Sequence, residues 1–180
     1  MAGPRRASRP HPKGAASDSE RPVRPRGTAK DRALRLLGVR DRSHRELERR
    51  LLRAGFEPED VATALGDLTA VGLIDDDRFA AAVAEHARSG RIAGRRAVMS
   101  SLLASGVDRE IADRASETLE EGEAERAQAL ADSRAARLRG VDPQKAFRRI
   151  SGMLARRGFA PSIAFSAARR ALGGRGEDAT

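Results

Sequence analysis

Three consecutive aspartates, Asp75, Asp76 and Asp77, are the densest group of potential metal ligands or acid–base residues in this 180-residue chain. They follow Leu73 and Ile74 and precede an alanine-rich run that opens at Phe79. On a helix, successive side chains point about 100° apart, so three neighbours cannot converge on one ion unaided. No His or Cys stands close by to complete a ligand set. The same residues fit a helix start. With Asp75 as N-cap, Asp76 and Asp77 fall in the first turn, where a carboxylate complements the helix dipole by about 0.3–1 kcal/mol. Ile74 and Phe79 then stand at the spacing of a hydrophobic staple.

A second group, Ser43, His44, Arg45 and Glu46, has the residue types of a nucleophile, a base and an acid. Adjacent helical residues do not form a triad, and Ser-x-x-Glu ahead of an apolar-periodic run predicts a capping box with Leu47 as the first core residue. The remaining histidines, His11 and His86, show no ligand spacing. The absence of cysteine excludes disulfides, thiol catalysis and cysteine-ligated zinc. Neither a phosphate-binding glycine loop nor a dinucleotide fingerprint occurs. These residues predict no catalytic site, no metal and no cofactor. A binding protein is expected.

The elements that position these groups are legible as a repeat. The segments RELERRLLRAGFEPEDVATAL, RRAVMSSLLASGVDREIADRA and FRRISGMLARRGFAPSIAFSA superpose on Gly55, Gly106 and Gly158, which are 51 and 52 residues apart. Eight residues before each glycine stand Leu47, Val98 and Ile150. Four before stand Leu51, Leu102 and Leu154, and Phe56, Val107 and Phe159 follow directly. Equal spacing, residue class and position predict three copies of one unit. In each, a helix ends at a left-handed glycine, an apolar residue packs back on its last turn, and another helix begins, with Pro58 and Pro161 near the first-turn position. A further helix is predicted upstream in each unit, over residues 31–40, 75–89 and 121–139. No alternating β-branched run suggests a strand.

The fold class predicted is therefore all-α: three tandem three-helix, helix-turn-helix-like repeats in an elongated, curved array. The boundaries are an arm at 1–29, repeats at 30–72, 73–120 and 121–172, and a flexible tail at 173–180. The arm holds five of the eight prolines and seven Lys or Arg against two acids, a composition that predicts disorder. It carries +5 of the +9 formal charge. No apolar run approaches the roughly 20 residues of a membrane span, and the N-terminus lacks a signal-peptide core, so a cytoplasmic monomer is expected.

Charge separates two kinds of partner. A helix-turn-helix protein reads bases with its second helix, but PEDVATALGDLTAV holds Glu59, Asp60 and Asp67 with no basic residue, and DREIADRASETLE holds five acids against two Arg. The middle helices are basic instead. Arg49, Arg50 and Arg53 lie in the first, Arg95 and Arg96 in the second, and Arg148, Arg149, Arg156 and Arg157 in the third. Arg88 and Arg91 extend the second group across the segment RSGRIAGRR. Basic character at equivalent positions suits a long repetitive partner, such as a nucleoprotein filament, contacted without base readout. A stand-alone DNA-binding protein or transcription regulator is the alternative.

At residue level, SHRELERRLLRAGF followed by LGDLTAVGLIDDDRFA resembles the signature of the RecX family, through Ser43, Glu46, Leu47, Gly55, Phe56, Ile74, Asp75, Asp76 and Phe79. The resemblance extends over about residues 31–172 and keeps the three-repeat layout around Gly106 and Gly158. Ala97-Val98 and Ser101-Leu102 depart from the family's pattern in the second repeat. What the resemblance implies is a non-enzymatic modulator of RecA: an elongated protein that binds the RecA–ssDNA filament, inhibits its ATPase and strand exchange in DNA repair and the SOS response, and can also contact DNA.

Overall fold

The computed structural model describes residues 27–90 and 93–173, and among these it contains nine helices and no strand. The first unit comprises α1 (Ala29–Leu37), α2 (His44–Arg53) and α3 (Pro58–Ala70). The second comprises α4 (Asp76–Ser89), α5 (Arg95–Ala104) and α6 (Arg109–Glu117). The third comprises α7 (Glu123–Ala136), α8 (Pro143–Arg156) and α9 (Pro161–Gly173).

The predicted turn is the same in all three. Gly55, Gly106 and Gly158 have φ of 87°, 81° and 82°. The residue after each glycine donates its N–H five residues back, Phe56 to Leu51 O at 3.3 Å, Val107 to Leu102 O at 3.1 Å and Phe159 to Leu154 O at 3.2 Å. Each glycine N–H bonds three residues back, to Leu52 O, Leu103 O or Ala155 O. That pair of bonds is the Schellman motif, which satisfies carbonyls the helix end would otherwise leave open. The C-terminal cap thus turns the chain and drops an apolar side chain into the core.

Each unit buries its own core. Leu47, Leu51, Val61, Leu65 and Leu68 fill the first, Phe79, Val98, Leu102, Val107 and Leu119 the second, and Ile150, Leu154 and Phe159 the third. In the third unit Ala127, Ala131 and Ala135 of α7 are buried in the same core as Ala164, Ala167 and Ala168 of α9. Small side chains allow the helix axes to approach closely. Helix packing is extensive within units and sparse between them, as in other repeat arrays.

Several expectations differ from the structure. α1 begins at Ala29 rather than residue 31, because Thr28 and Asp31 form a complete capping box, and it ends at Leu37 where Gly38 caps it. The folded part therefore starts inside the arm assigned to 1–29; residues 1–26 of that arm lie outside the described residues, as do 174–180 of the tail. Gly173 itself closes α9. Ile74 and Phe79 do not staple one helix: Ile74 is buried in the first core and Phe79 in the second. Ile74 N–H bonds Leu68 O at 3.2 Å, so it completes the end of α3, beyond the expected boundary at residue 72.

Ser43 caps α2 by accepting from Glu46 N–H at 3.1 Å, but the reciprocal half of the box is missing. Three guanidinium groups claim the Glu46 carboxylate instead: Arg40 at 2.6 Å, Arg50 at 3.0 Å and the buried Arg42. Arg42 also donates to Leu36 O at 3.2 Å, so this cluster ties the α1–α2 loop to α2. Burial raises the carboxyl pKa of Glu46, but the hydrogen bonds from Arg40, Arg50 and Arg42 outweigh it and the net direction is downward. A lowered folded-state pKa stabilises the fold above the ordinary glutamate value, and that contribution is lost as pH falls through the lowered value. Urea unfolding followed by far-UV circular dichroism should show Glu46→Gln to be less stable than the parent at pH 7, with the difference shrinking below about pH 4. A difference independent of pH would assign the loss to packing alone.

Candidate functional site

The three aspartates that invite a metal reading each do something different. Asp75 caps its own helix, accepting from Arg78 N–H at 2.8 Å. Asp76 reaches across to the first unit and accepts from His44 N–H at 2.8 Å, capping α2 from outside. Asp77 pairs with Arg114 of α6 at 2.8 Å on the exposed side. Among the described residues no group of three His, Cys, Asp or Glu could hold a metal ion.

The reach of Asp76 is one half of a junction that recurs. His44 is the first residue of α2, and Arg95 is the first residue of α5. Arg95 N–H donates to Glu123 Oε1 at 3.0 Å, and Glu123 is the first residue of α7 just as Asp76 is of α4. In both junctions a carboxylate opening one unit caps the middle helix of the unit before it. Gly94 has no side chain to cap α5 itself, so the buried Glu123 supplies the only side-chain acceptor found there among the described residues.

The other half is the glycine turn. Ser43 Oγ donates to Ser105 O at 2.6 Å, and Arg49 donates to Ala104 O at 3.0 Å, both at the end of α5. One unit on, Gly94 N–H donates to Arg157 O at 2.8 Å and Arg96 N–H to Gly158 O at 3.2 Å. The contact is close enough to require glycine. A Cβ on Gly106 would stand 2.4 Å from Arg45 Cβ, and one on Gly158 would stand 2.3 Å from the Ala97 backbone nitrogen. Gly106 and Gly158 therefore serve twice, ending one middle helix and receiving the start of the previous one.

These junctions decide which arginines are free. Arg95, grouped by sequence with the open basic segment, is held by Glu120 at 2.8 Å and Glu117 at 3.8 Å. Arg88 pairs with Glu85 at 3.4 Å on the same helix. Arg91 lies outside the described residues. Arg49 and Arg50 are engaged as described above. By contrast Arg53, Arg96, Arg148, Arg149 and Arg156 are exposed, Arg157 is half-buried, and none makes an ion pair with another described residue.

One cation was missed by grouping residues along helices. Arg45, Arg96 and Arg148 each stand ten residues before the glycine of their unit. Arg45 keeps 67% of its side chain exposed and has only a 3.6 Å ion pair with Glu48. The signal was present in the register of the repeat, and counting net charge per helix hid it. The result is one solvent-facing guanidinium per unit at an equivalent place, beside the junction in the first two units.

Three glycine-ended three-helix units, joined start to turn and carrying a repeated surface cation, define an all-α tandem-repeat protein. Residues 29–68 match the first three-helix domain of RecX and residues 121–167 match the third. The chain is 36% identical over 153 residues to the regulatory protein RecX of Amycolatopsis mediterranei, covering 84% of this chain and 87% of that protein. It is 36% identical over 164 residues to its counterpart in Streptomyces coelicolor, covering 91% and 87%. A crystal structure of RecX from Lactobacillus salivarius superposes with a TM-score of 0.69 at 20% identity, over 79% of this chain and 94% of that one. The chain belongs to the RecX family, whose relatives here are named regulatory proteins. Among the described residues no helix is long and apolar enough to cross a membrane.

Proposed function

We propose that this protein is a non-enzymatic regulator of RecA that binds the RecA–ssDNA filament in the cytoplasm and inhibits its ATPase, growth and strand exchange. The observation that carries this reading is the recurrence of an exposed arginine at one register position in each unit, Arg45, Arg96 and Arg148. A filament repeats its subunits, and an array that repeats its cations can meet several of them at once. Linked weak contacts of this kind gain affinity through effective concentration. The relatives' shared name, regulatory protein, supports a regulator of this type.

The acidic third helices of the first two units, α3 and α6, count against base readout by a stand-alone DNA-binding protein. α3 holds Glu59, Asp60 and Asp67 without a basic residue, and that charge would oppose phosphate. Titrating the protein into RecA on single-stranded DNA should lower steady-state ATP hydrolysis at or below one regulator per RecA. Undiminished hydrolysis and strand exchange with a large excess present would refute the proposal. Binding that survives physiological salt only on one duplex sequence would favour the transcription-regulator reading instead.

A further inference from the structure

We propose that the third unit carries a site for an unpaired nucleic-acid base, built on Phe147 and Phe165. The chain has five phenylalanines and neither Tyr nor Trp. Phe56, Phe79 and Phe159 are buried, one in each core. The other two stack on each other, with ring centroids 6.0 Å apart and planes at 27°; Phe147 is half-buried against the third core and Phe165 is 51% exposed.

The place of this pair in the repeat distinguishes it from a stray surface ring. Phe147 stands eleven residues before Gly158, the register position of His44 and Arg95 in the first two units. Those two open their helices and are covered by the next unit's carboxylate, Asp76 or Glu123. No fourth unit follows among the described residues, and α8 starts at Pro143, four residues before Phe147, so its own extra turn replaces the neighbour's cap. At the register position that the first two units cover with a carboxylate, the third unit has an aromatic stack.

Charge selects the occupant. Neither α8 nor α9 contains an acidic residue, whereas together they carry Lys145, Arg148, Arg149, Arg156, Arg169 and Arg170. Arg148 follows Phe147 directly, and Arg169 lies four residues after Phe165, about 40° round the same helix face. Both are exposed and make no ion pair with a described residue. An open ring face bordered by unopposed guanidinium groups matches a ligand that is flat and anionic together. Single-stranded nucleic acid offers this, with a base on Phe165 and its phosphates on Arg148 and Arg169. Base–aromatic stacking contributes about 1–3 kcal/mol and tolerates any base. An acidic protein surface would use the charges and leave the ring face unmatched. This site goes beyond the RecA reading and does not rest on it.

The lack of Trp and Tyr makes the test direct, because Phe165→Trp introduces a single indole fluorophore at the site. Titration with an oligothymidylate of about 20 nucleotides should quench its emission to saturation, and an abasic strand of the same length should quench it far less. Phe165→Leu keeps an apolar contact on Phe147 but removes the π face. In an otherwise unaltered chain with parental helicity, it should weaken oligothymidylate binding by roughly five- to a hundredfold, while abasic-strand binding stays unchanged. Parental affinity in the Leu variant, or Trp emission that ignores saturating oligothymidylate, overturns the site. Emission that responds to RecA without DNA but not to the oligonucleotide would make the pair a protein contact and likewise overturn it.

Discussion

Alanine at Gly158 is expected to destabilise the chain by about 3 kcal/mol or more, and to do so by parting the second and third units. Two costs add there. A residue with a Cβ at φ of +82° pays about 1–2 kcal/mol for the left-handed conformation. The new Cβ would also stand 2.3 Å from Ala97 N and 2.5 Å from Ala97 Cβ, so the backbone of α5 must move away. That movement strains the bonds Gly94 N–H to Arg157 O and Arg96 N–H to Gly158 O, each contributing about 0.5–1.5 kcal/mol. It also draws Arg95 N–H away from the buried Glu123 carboxylate. Gly140→Ala provides the comparison, since Gly140 has φ of +83° but nothing within 4 Å of an added Cβ. Its cost should stop at about 1–2 kcal/mol. Urea unfolding by circular dichroism measures both. Gly158→Ala should also broaden the transition, because units that separate no longer melt together. Equal losses in the two variants would show that the junction does not couple the units. Gly106→Ala should cost about as much as Gly158→Ala, because its added Cβ would stand 2.4 Å from Arg45 Cβ, an atom that moves only with the backbone of α2.

The sequence made this turn legible but not its second use. Helix, glycine and apolar residue recur because a Schellman end needs them, and that local chemistry is written in adjacent residues. What touches the glycine comes from 61 residues earlier, Arg45 at Gly106 and Ala97 at Gly158, and no local pattern announces it. The aspartates show the same division. Asp75 as an N-cap follows from spacing alone, whereas Asp76 capping His44 requires knowing that α4 opens beside α2. Ser-x-x-Glu predicted Ser43 correctly. It failed for Glu46 because Arg40 and Arg42 lie outside the motif and compete for the carboxylate more strongly than a backbone N–H can. Grouping Arg88, Arg91, Arg95 and Arg96 as one basic segment leaves out the acidic partners of Arg88 and Arg95 for a related reason. Proximity in sequence says nothing of Glu117 and Glu120, which hold Arg95 from the far end of the unit.

Reversing Arg45, Arg96 and Arg148 together to Glu should weaken inhibition of RecA by at least about tenfold without loss of helicity. Each has an exposed side chain, so the change removes no core contact, and among the described residues only Arg45 loses an ion pair, the 3.6 Å contact with Glu48. Such exposed pairs contribute at most about 1 kcal/mol to stability. At a partner surface each reversal exchanges an attraction for a repulsion, and three of them at about 0.5–1 kcal/mol each reach or exceed a tenfold change. Arg95 has to stay out of the variant, because its side chain is held by Glu117 and Glu120 of its own unit and a carboxylate there would be repelled, so lost stability would be read as lost binding. A control with the same charge change, Arg32, Arg137 and Arg139 to Glu, alters exposed residues that lie off the repeated position. Net charge then cannot explain a difference between the two variants. The difference should be widest in low salt and narrow near 0.5 M, where screening acts over only a few ångströms. If ladder and control variants inhibit the RecA ATPase alike, the repeated arginines are not the contact surface, and the register that groups them reflects only the helix repeat.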